Sequence, residues 1–225
     1  MASSYCSLFE TVFNESLPVN WCLEILKAID DAYKETNKTC RYPRFGEPEA
    51  RDTRSHYLRG IVETRLKEVS SNYLCMTAES CLNKKRSSSH TLVKSGHLYL
   101  TASSVHTPTS KPRKAEFRDI YQSNGQGELF ETEKNLQGDN PIYAVLLYGS
   151  PQLYSPSFVR LAFPSHHWNK YVESIDLIAK FPDAISKFAQ TEEMQEPSIE
   201  KLPEEMIPQP QKPAIRRLPK RMGEE

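Results

Sequence analysis

The run IYAVLLYG at residues 142–149 constrains the chain most. It is almost wholly apolar, it does not alternate, and it is too short for a helix of ordinary length. Such a run reads as a β-strand covered on both faces and central in its sheet. The neighbouring SFVRLAF, residues 157–163, alternates apolar and polar positions and pairs with it.

Upstream, Cys22, Ile25, Leu26, Ile29, Ala32 and Tyr33 recur at three- and four-residue spacings, which predicts a helix over 20–35. Residues 40–52 carry two prolines and a glycine and read as an irregular surface linker. A second helix is expected to start with Asp52 or Thr53 as its N-cap and to bury Leu58, Ile61, Val62, Leu66 and Val69.

Strands are expected at 73–79, 90–94 and 97–105, the last two joined by a Ser95-Gly96 turn. The third is expected to be half-buried, with Leu98, Leu100 and Ala102 inward and Tyr99, Thr101 and Ser103 outward. A third helix is read over 111–125, with Pro112 in its first turn, Gly125 at its end and Phe117, Ile120 and Tyr121 as its apolar face. A fourth, with Ser165 as N-cap, would carry Trp168, Tyr171, Val172, Ile175 and Ile178 on one stripe up to Pro182. The sum is an α+β domain over residues 1–183, a mixed sheet of about five strands packed by about four helices.

From residue 184 the character changes. Seven prolines occur from Pro182 to Pro219, both included, and an acidic block around Glu192 to Glu205 precedes a basic one (Lys212, Arg216, Arg217, Lys220, Arg221). Such a segment buries too little apolar surface to offset its ordering entropy, so a disordered Pro-rich tail is expected over 184–225. Within it, residues 212–221 suit docking on an acidic protein partner.

Formal charges cancel over the 225 residues, so any electrostatic attraction must be local. Five scattered cysteines, an odd number, do not form a disulfide framework. The opening MASSYCSLFE carries no basic leader, and no run approaches the roughly 20 apolar residues of a bilayer span. A cytoplasmic location without a membrane association follows as the expectation, and oligomeric state is left open.

The order helix, three strands, helix, strand over residues 53–149 resembles the core of restriction-endonuclease-like nucleases. That resemblance implies an aspartate on the second strand, and on the third an acid followed two residues later by a lysine, because Mg²⁺ takes carboxylate oxygens and the lysine stabilises charge beside metal-activated water. Here the pattern departs. No Asp or Glu stands between Glu79 and Glu116, and Glu63 on the preceding helix is a single acid. The implied core is therefore a degenerate one.

Cys75, Cys81 and His90 lack paired zinc-ligand spacing, and the adjacent His166 and His167 cannot share a metal as an i, i+4 pair would. YGSPQ holds one glycine of a serine-hydrolase elbow. No catalytic residue, cofactor or metal is assigned on these grounds.

The acid-free stretch nonetheless holds seven cations: Lys84, Lys85, Arg86, Lys94, Lys111, Arg113 and Lys114, with His90, His97 and His106 among them. Lys111, Arg113 and Lys114 flank Pro112 at the expected start of the third helix, where the macrodipole ordinarily favours acids. With Thr107, Thr109 and Ser110 as hydroxyl donors, the segment HTPTSKPRK reads as a phosphate or carboxylate site, with Lys84, Lys85 and Arg86 as auxiliaries. Neutralisation of these cations by Glu116 and Asp119 is the competing reading. The expected function is a non-enzymatic intracellular regulatory or interaction protein that contacts nucleic acid or another polyanion. The alternative is a metal-dependent phosphodiester-cleaving enzyme.

Overall fold

In the computed structural model, which describes residues 8–40, 47–83, 86–125, 141–150, 154–165, 168, 170–182 and 184, residues 142–149 form a strand buried at every position. This is β4 (Ile142–Gly149). It lies inside a six-stranded sheet whose strands follow chain order: β1 (Met76–Leu82), β2 (Ser89–Ser95), β3 (Leu98–Ser104), β4, β5 (Phe158–Pro164) and β6 (Tyr171–Asp176). β3 and β4 run parallel and the other neighbours antiparallel.

The two faces of β4 serve two cores. Ile142, Ala144, Leu146 and Tyr148 enter the larger one, shared with α1 (Leu8–Ser16), α2 (Val19–Thr39), α3 (Glu47–Ser71) and α5 (Leu177–Lys180). Tyr143, Val145 and Leu147 enter the smaller one, against Tyr121 of α4 (Glu116–Gly125), Trp168 and Tyr171. Alternate side chains of a strand point to opposite faces, so an apolar residue at every position is stable only with a cover on each side. Within the larger core, Trp21 Nε1 donates to Ser70 Oγ at 3.0 Å and joins α2 to α3. No helix among the described residues is long and apolar enough to cross a membrane.

Several elements differ from the sequence expectation. The described residues hold six strands and five helices rather than about five and four. α1 is additional; Phe9, Val12 and Phe13 supply its buried stripe, but nine residues make a short periodic signal. α3 starts at Glu47, ahead of Asp52, because Pro48 sits in the first turn, where its missing N–H leaves no hydrogen bond unmade. β1 begins three residues later than read, at Met76.

The β2–β3 turn is Gly96-His97, since Ser95 pairs with Leu98 and Gly96 takes φ +53°. β3 is covered on both faces rather than half-buried: Thr101 has no exposed surface and Ser103 is buried. The largest difference lies at 165–181, read as one helix. Tyr171, Val172 and Ile175 belong instead to β6, paired with β5, and Ser165 closes that hairpin through its N–H to the Lys170 carbonyl at 2.9 Å. Their β-branched and aromatic side chains favour the pleated surface, and the open edge of β5 supplies the partner. The helix that remains, α5, is capped by Asp176, whose carboxylate accepts from Ile178 N and Ala179 N at 3.1 Å each.

Gly149 closes β4 where the chain leaving β3 crosses its end. A Cβ there would lie 2.0 Å from the Val105 carbonyl oxygen and 2.7 Å from Phe158 Cζ. Gly149→Ala is expected to cost about 1–3 kcal/mol by overpacking against backbone, read as a lower urea midpoint at unchanged slope. A midpoint equal to that of the parent protein would contradict this close approach.

Candidate functional site

Parallel strands cannot be joined by a tight turn, so the chain must cross over between β3 and β4. The crossover leaves the carboxyl end of β3 with Val105 N donating to the Tyr148 carbonyl at 3.0 Å. It runs irregularly through residues 106–115 and then enters α4. β1 ends and β2 begins at this same end of the sheet, because both pair antiparallel in register with their neighbours. Ser55, His56 and Arg59 of α3 stand opposite, and a cleft of about 880 Å³ lies between them and the crossover. Crevices outside the carboxyl ends of parallel strands are common ligand positions.

Of the described residues that line this cleft, Arg59, Lys111, Arg113, Lys114 and Arg118 are cationic and Glu116 is the carboxylate. Lys111, Arg113 and Lys114 are exposed, and Ser110 stands beside them. The structure thus brings four of the sequence-predicted residues to one wall. None of the ion pairs resolved among the described residues involves the three cations.

Their relation to the helix is different from the expectation. α4 starts at Glu116, so Lys111, Pro112, Arg113 and Lys114 precede it, and its first turn carries the acids Glu116 and Asp119 that the macrodipole favours. The reason lies in Arg118, whose guanidinium donates to the Arg113 carbonyl and, at 3.4 Å, to the Ala102 carbonyl of β3. That bond holds residue 113 outside the helix and ties the basic segment to the sheet. Ser110 is also engaged: its hydroxyl meets Thr107 Oγ1 at 2.7 Å, and its carbonyl accepts from Tyr171 Oη at 2.9 Å. Thr109 completes the hydroxyl cluster, 3.4 Å from Thr107.

The auxiliary cations fare unevenly. Lys84 and Lys85 lie outside the described residues, as do His166, His167 and the tail after 184. Arg86 is exposed in the β1–β2 turn at φ +52°; Asn83 and Ser88 of that turn border the cleft, whereas Arg86 is not among its lining residues. Lys94 is taken up by Glu79 at 2.6 Å. Among the described residues no three His, Cys, Asp or Glu side chains are grouped so as to hold a metal ion.

Sequence reasoning missed Arg59 and Arg118. It placed Phe117, Ile120 and Tyr121 on the buried face of the third helix, but Ile120 is 45% exposed and Arg118 only 8%. The helix is turned so that Arg118 and Gln122 face inward, where the Arg113, Ala102 and Ser165 carbonyls accept from them. A polar residue on a mostly apolar face at i, i+4 from Gln122 is the signal that was available.

Behind the cleft these side chains join a buried polar network. The Glu63 carboxylate accepts from Thr91 N at 2.6 Å, and Thr91 Oγ1 donates to the Glu63 carbonyl at 2.9 Å. Burial pushes the Glu63 pKa up, against Thr91, Arg59 and Arg118, which pull it down. Thr101 Oγ1 and Tyr143 Oη are 2.6 Å apart, and burial pushes the phenol up to about 12. The His90 ring stacks on Phe117 with centroids 3.6 Å apart and 7° between planes, and its Nε2 is 3.3 Å from Tyr121 Oη. Burial first, then Arg118 and Arg59, push its pKa down to about 4. His90 is therefore neutral at pH 7 and adds nothing to the positive field expected of it.

Comparisons with protein-family models, with curated proteins and with solved structures found no match.

The depressed pKa of His90 sets a pH dependence. An unfolded histidine takes up its proton near pH 6.5 and the folded one near 4, so the stabilisation is complete above 6.5 and is lost as the pH falls through that window. Denaturant titrations are expected to show a loss of about 2 kcal/mol between these limits, once solvent screening is allowed for. His90→Phe should flatten that dependence, and an equally steep loss in the variant would assign it to other groups.

Proposed function

We propose that the protein is a non-enzymatic regulatory or interaction protein that binds nucleic acid, or an equivalent polyanion, through the cleft at the end of β3. The observation that carries this reading is the convergence of Lys111, Arg113 and Lys114 with Arg59 on one concave surface, against Glu116. Exposed cations in such a cleft focus a positive potential that a neutral whole-chain charge does not cancel at short range. Phosphate contacts of this kind set affinity and register without reading sequence. Arg118 works from behind, as a positioning residue that holds the Arg113 backbone.

The finer fold reading, a degenerate restriction-endonuclease-like core, belongs with this proposal. It is supported by the three-strand meander β1–β2–β3 followed by α4 and a parallel β4. The alternative function, metal-dependent phosphodiester cleavage, draws on the same order. It would have to rest on Glu63, whose part-buried carboxylate is occupied by the Thr91 N–H, and neither β2 nor β3 carries an Asp or Glu. Binding is accordingly the better-supported reading.

Affinity for a labelled oligonucleotide is expected to fall steeply with salt, since each neutralised phosphate contributes about 0.7 to 0.9 to the slope of log K against log salt. Changing Lys111, Arg113 and Lys114 together to Glu should reduce that slope by about two to three and weaken binding at least about tenfold at moderate salt. A slope unchanged by the triple substitution would remove the cleft as the contact surface. Incubation with DNA and RNA in Mg²⁺ or Mn²⁺ separates the alternative: cleavage abolished by Glu63→Gln would establish the enzyme.

A further inference from the structure

Resting on the binding reading above, we infer that the cleft selects unpaired nucleic acid, with an unstacked base against an apolar wall while the basic segment holds the neighbouring phosphates. Large apolar side chains in contact with water are few among the described residues: Val19, Leu74, Leu82, Ile120, Tyr154 and Val172. Leu82, 62% exposed, and Ile120, 45% exposed, line the same cleft as Lys111, Arg113 and Lys114, and the other four lie elsewhere. Phe117 and Tyr121 extend that wall.

Phe117 is packed in place from behind, stacked on His90 and with the Arg118 guanidinium 4.9 Å from its ring centre.

A surface that only tracked phosphates would need cations and polar donors. Exposed aliphatic groups beside the cations are unfavourable in water, and they become favourable when a ligand that is anionic at one end and flat and apolar at the other covers them. A nucleotide in a single strand has this composition, and every base offers a face for such packing whatever its sequence. A duplex does not fit: its bases are stacked inside, and its phosphates lie on a convex surface that cannot carry an apolar group to the wall of a concave site. An acidic peptide would match the charge but offers no flat apolar group for the wall. The cleft reaches the edge strand β1 only at Cys81 and Leu82, too short a stretch for strand addition.

The test is fluorescence anisotropy with four labelled probes of equal length: oligothymidylate, oligouridylate, an abasic deoxyribose-phosphate strand and a duplex. One or both of the base-bearing single strands should bind at least about tenfold tighter than the abasic strand and the duplex. The double variant Leu82→Ser, Ile120→Ser alters exposed positions and should fold normally by circular dichroism. It should lose that preference while keeping its affinity for the abasic strand and its salt slope; Lys111→Glu should weaken all four probes together. Equal binding of the base-bearing and abasic strands, tighter binding of the duplex, or a preference that survives the double variant overturns the inference while leaving phosphate binding intact. Absence of salt-dependent binding to any probe overturns both, whereas displacement of oligothymidylate by polyglutamate at an equal concentration of charge overturns the inference alone.

Discussion

The parallel pairing of β3 with β4 is the constraint on which the remainder of the molecule depends. All seven residues of β3 are in register with β4, from Leu98 opposite Ile142 to Ser104 opposite Tyr148. Two strands running the same way need a crossover of a dozen or more residues. Because β4 is apolar on both faces, that crossover must also cover the face that α1, α2, α3 and α5 leave open. α4 does so through Tyr121, and the irregular residues ahead of α4 are thereby laid over the carboxyl end of β3. Gly149 allows the approach, since a side chain there would collide with the Val105 carbonyl.

The placement of the basic segment has a cost, and Arg118 shows where it is met. A guanidinium remains charged in folded proteins, so burying one is unfavourable unless carbonyls and nearby charges replace its water. Arg118 finds the carbonyls of Arg113 and Ala102, the Glu63 charge, the Tyr143 phenol and the Phe117 ring, although its Nε has no hydrogen-bond partner among the described residues. In return the two ends of the segment are tied to opposite parts of the sheet: Arg113 to β3 through Arg118, and Ser110 to β6 through Tyr171. Lys111, Arg113 and Lys114 thus project from a stretch of chain that is anchored on both sides, which lowers the entropy lost when they engage an anion.

Much of this was legible in the sequence. The run 142–149 announced a doubly covered strand, the spacing in 20–35 announced α2, and the absence of acids between Glu79 and Glu116 announced a local excess of positive charge. What remained hidden depended on tertiary partners. Tyr171, Val172 and Ile175 fit a helical stripe as well as a strand, and the open edge of β5 decides between them. Ile120 and Arg118 exchange their expected places because only the fold shows which carbonyls await a guanidinium. Lys94 counted as a free cation until β1 brought Glu79 beside it, and His90 counted as a positive group until Phe117 covered it. The hidden terms are long-range pairings and desolvation, to which local periodicity is blind.

The most direct measurement of the central claim, that the β3–β4 crossover and α3 together form one anion-binding cleft, is a heteronuclear NMR titration of the full chain with a short oligonucleotide. Amide and side-chain signals of Ser110, Lys111, Arg113, Lys114 and Arg59 should move together with a single saturation curve, while Leu74 and Cys75 in the α3–β1 turn stay still. Perturbations centred on that turn or on β6, with the crossover silent, would contradict it.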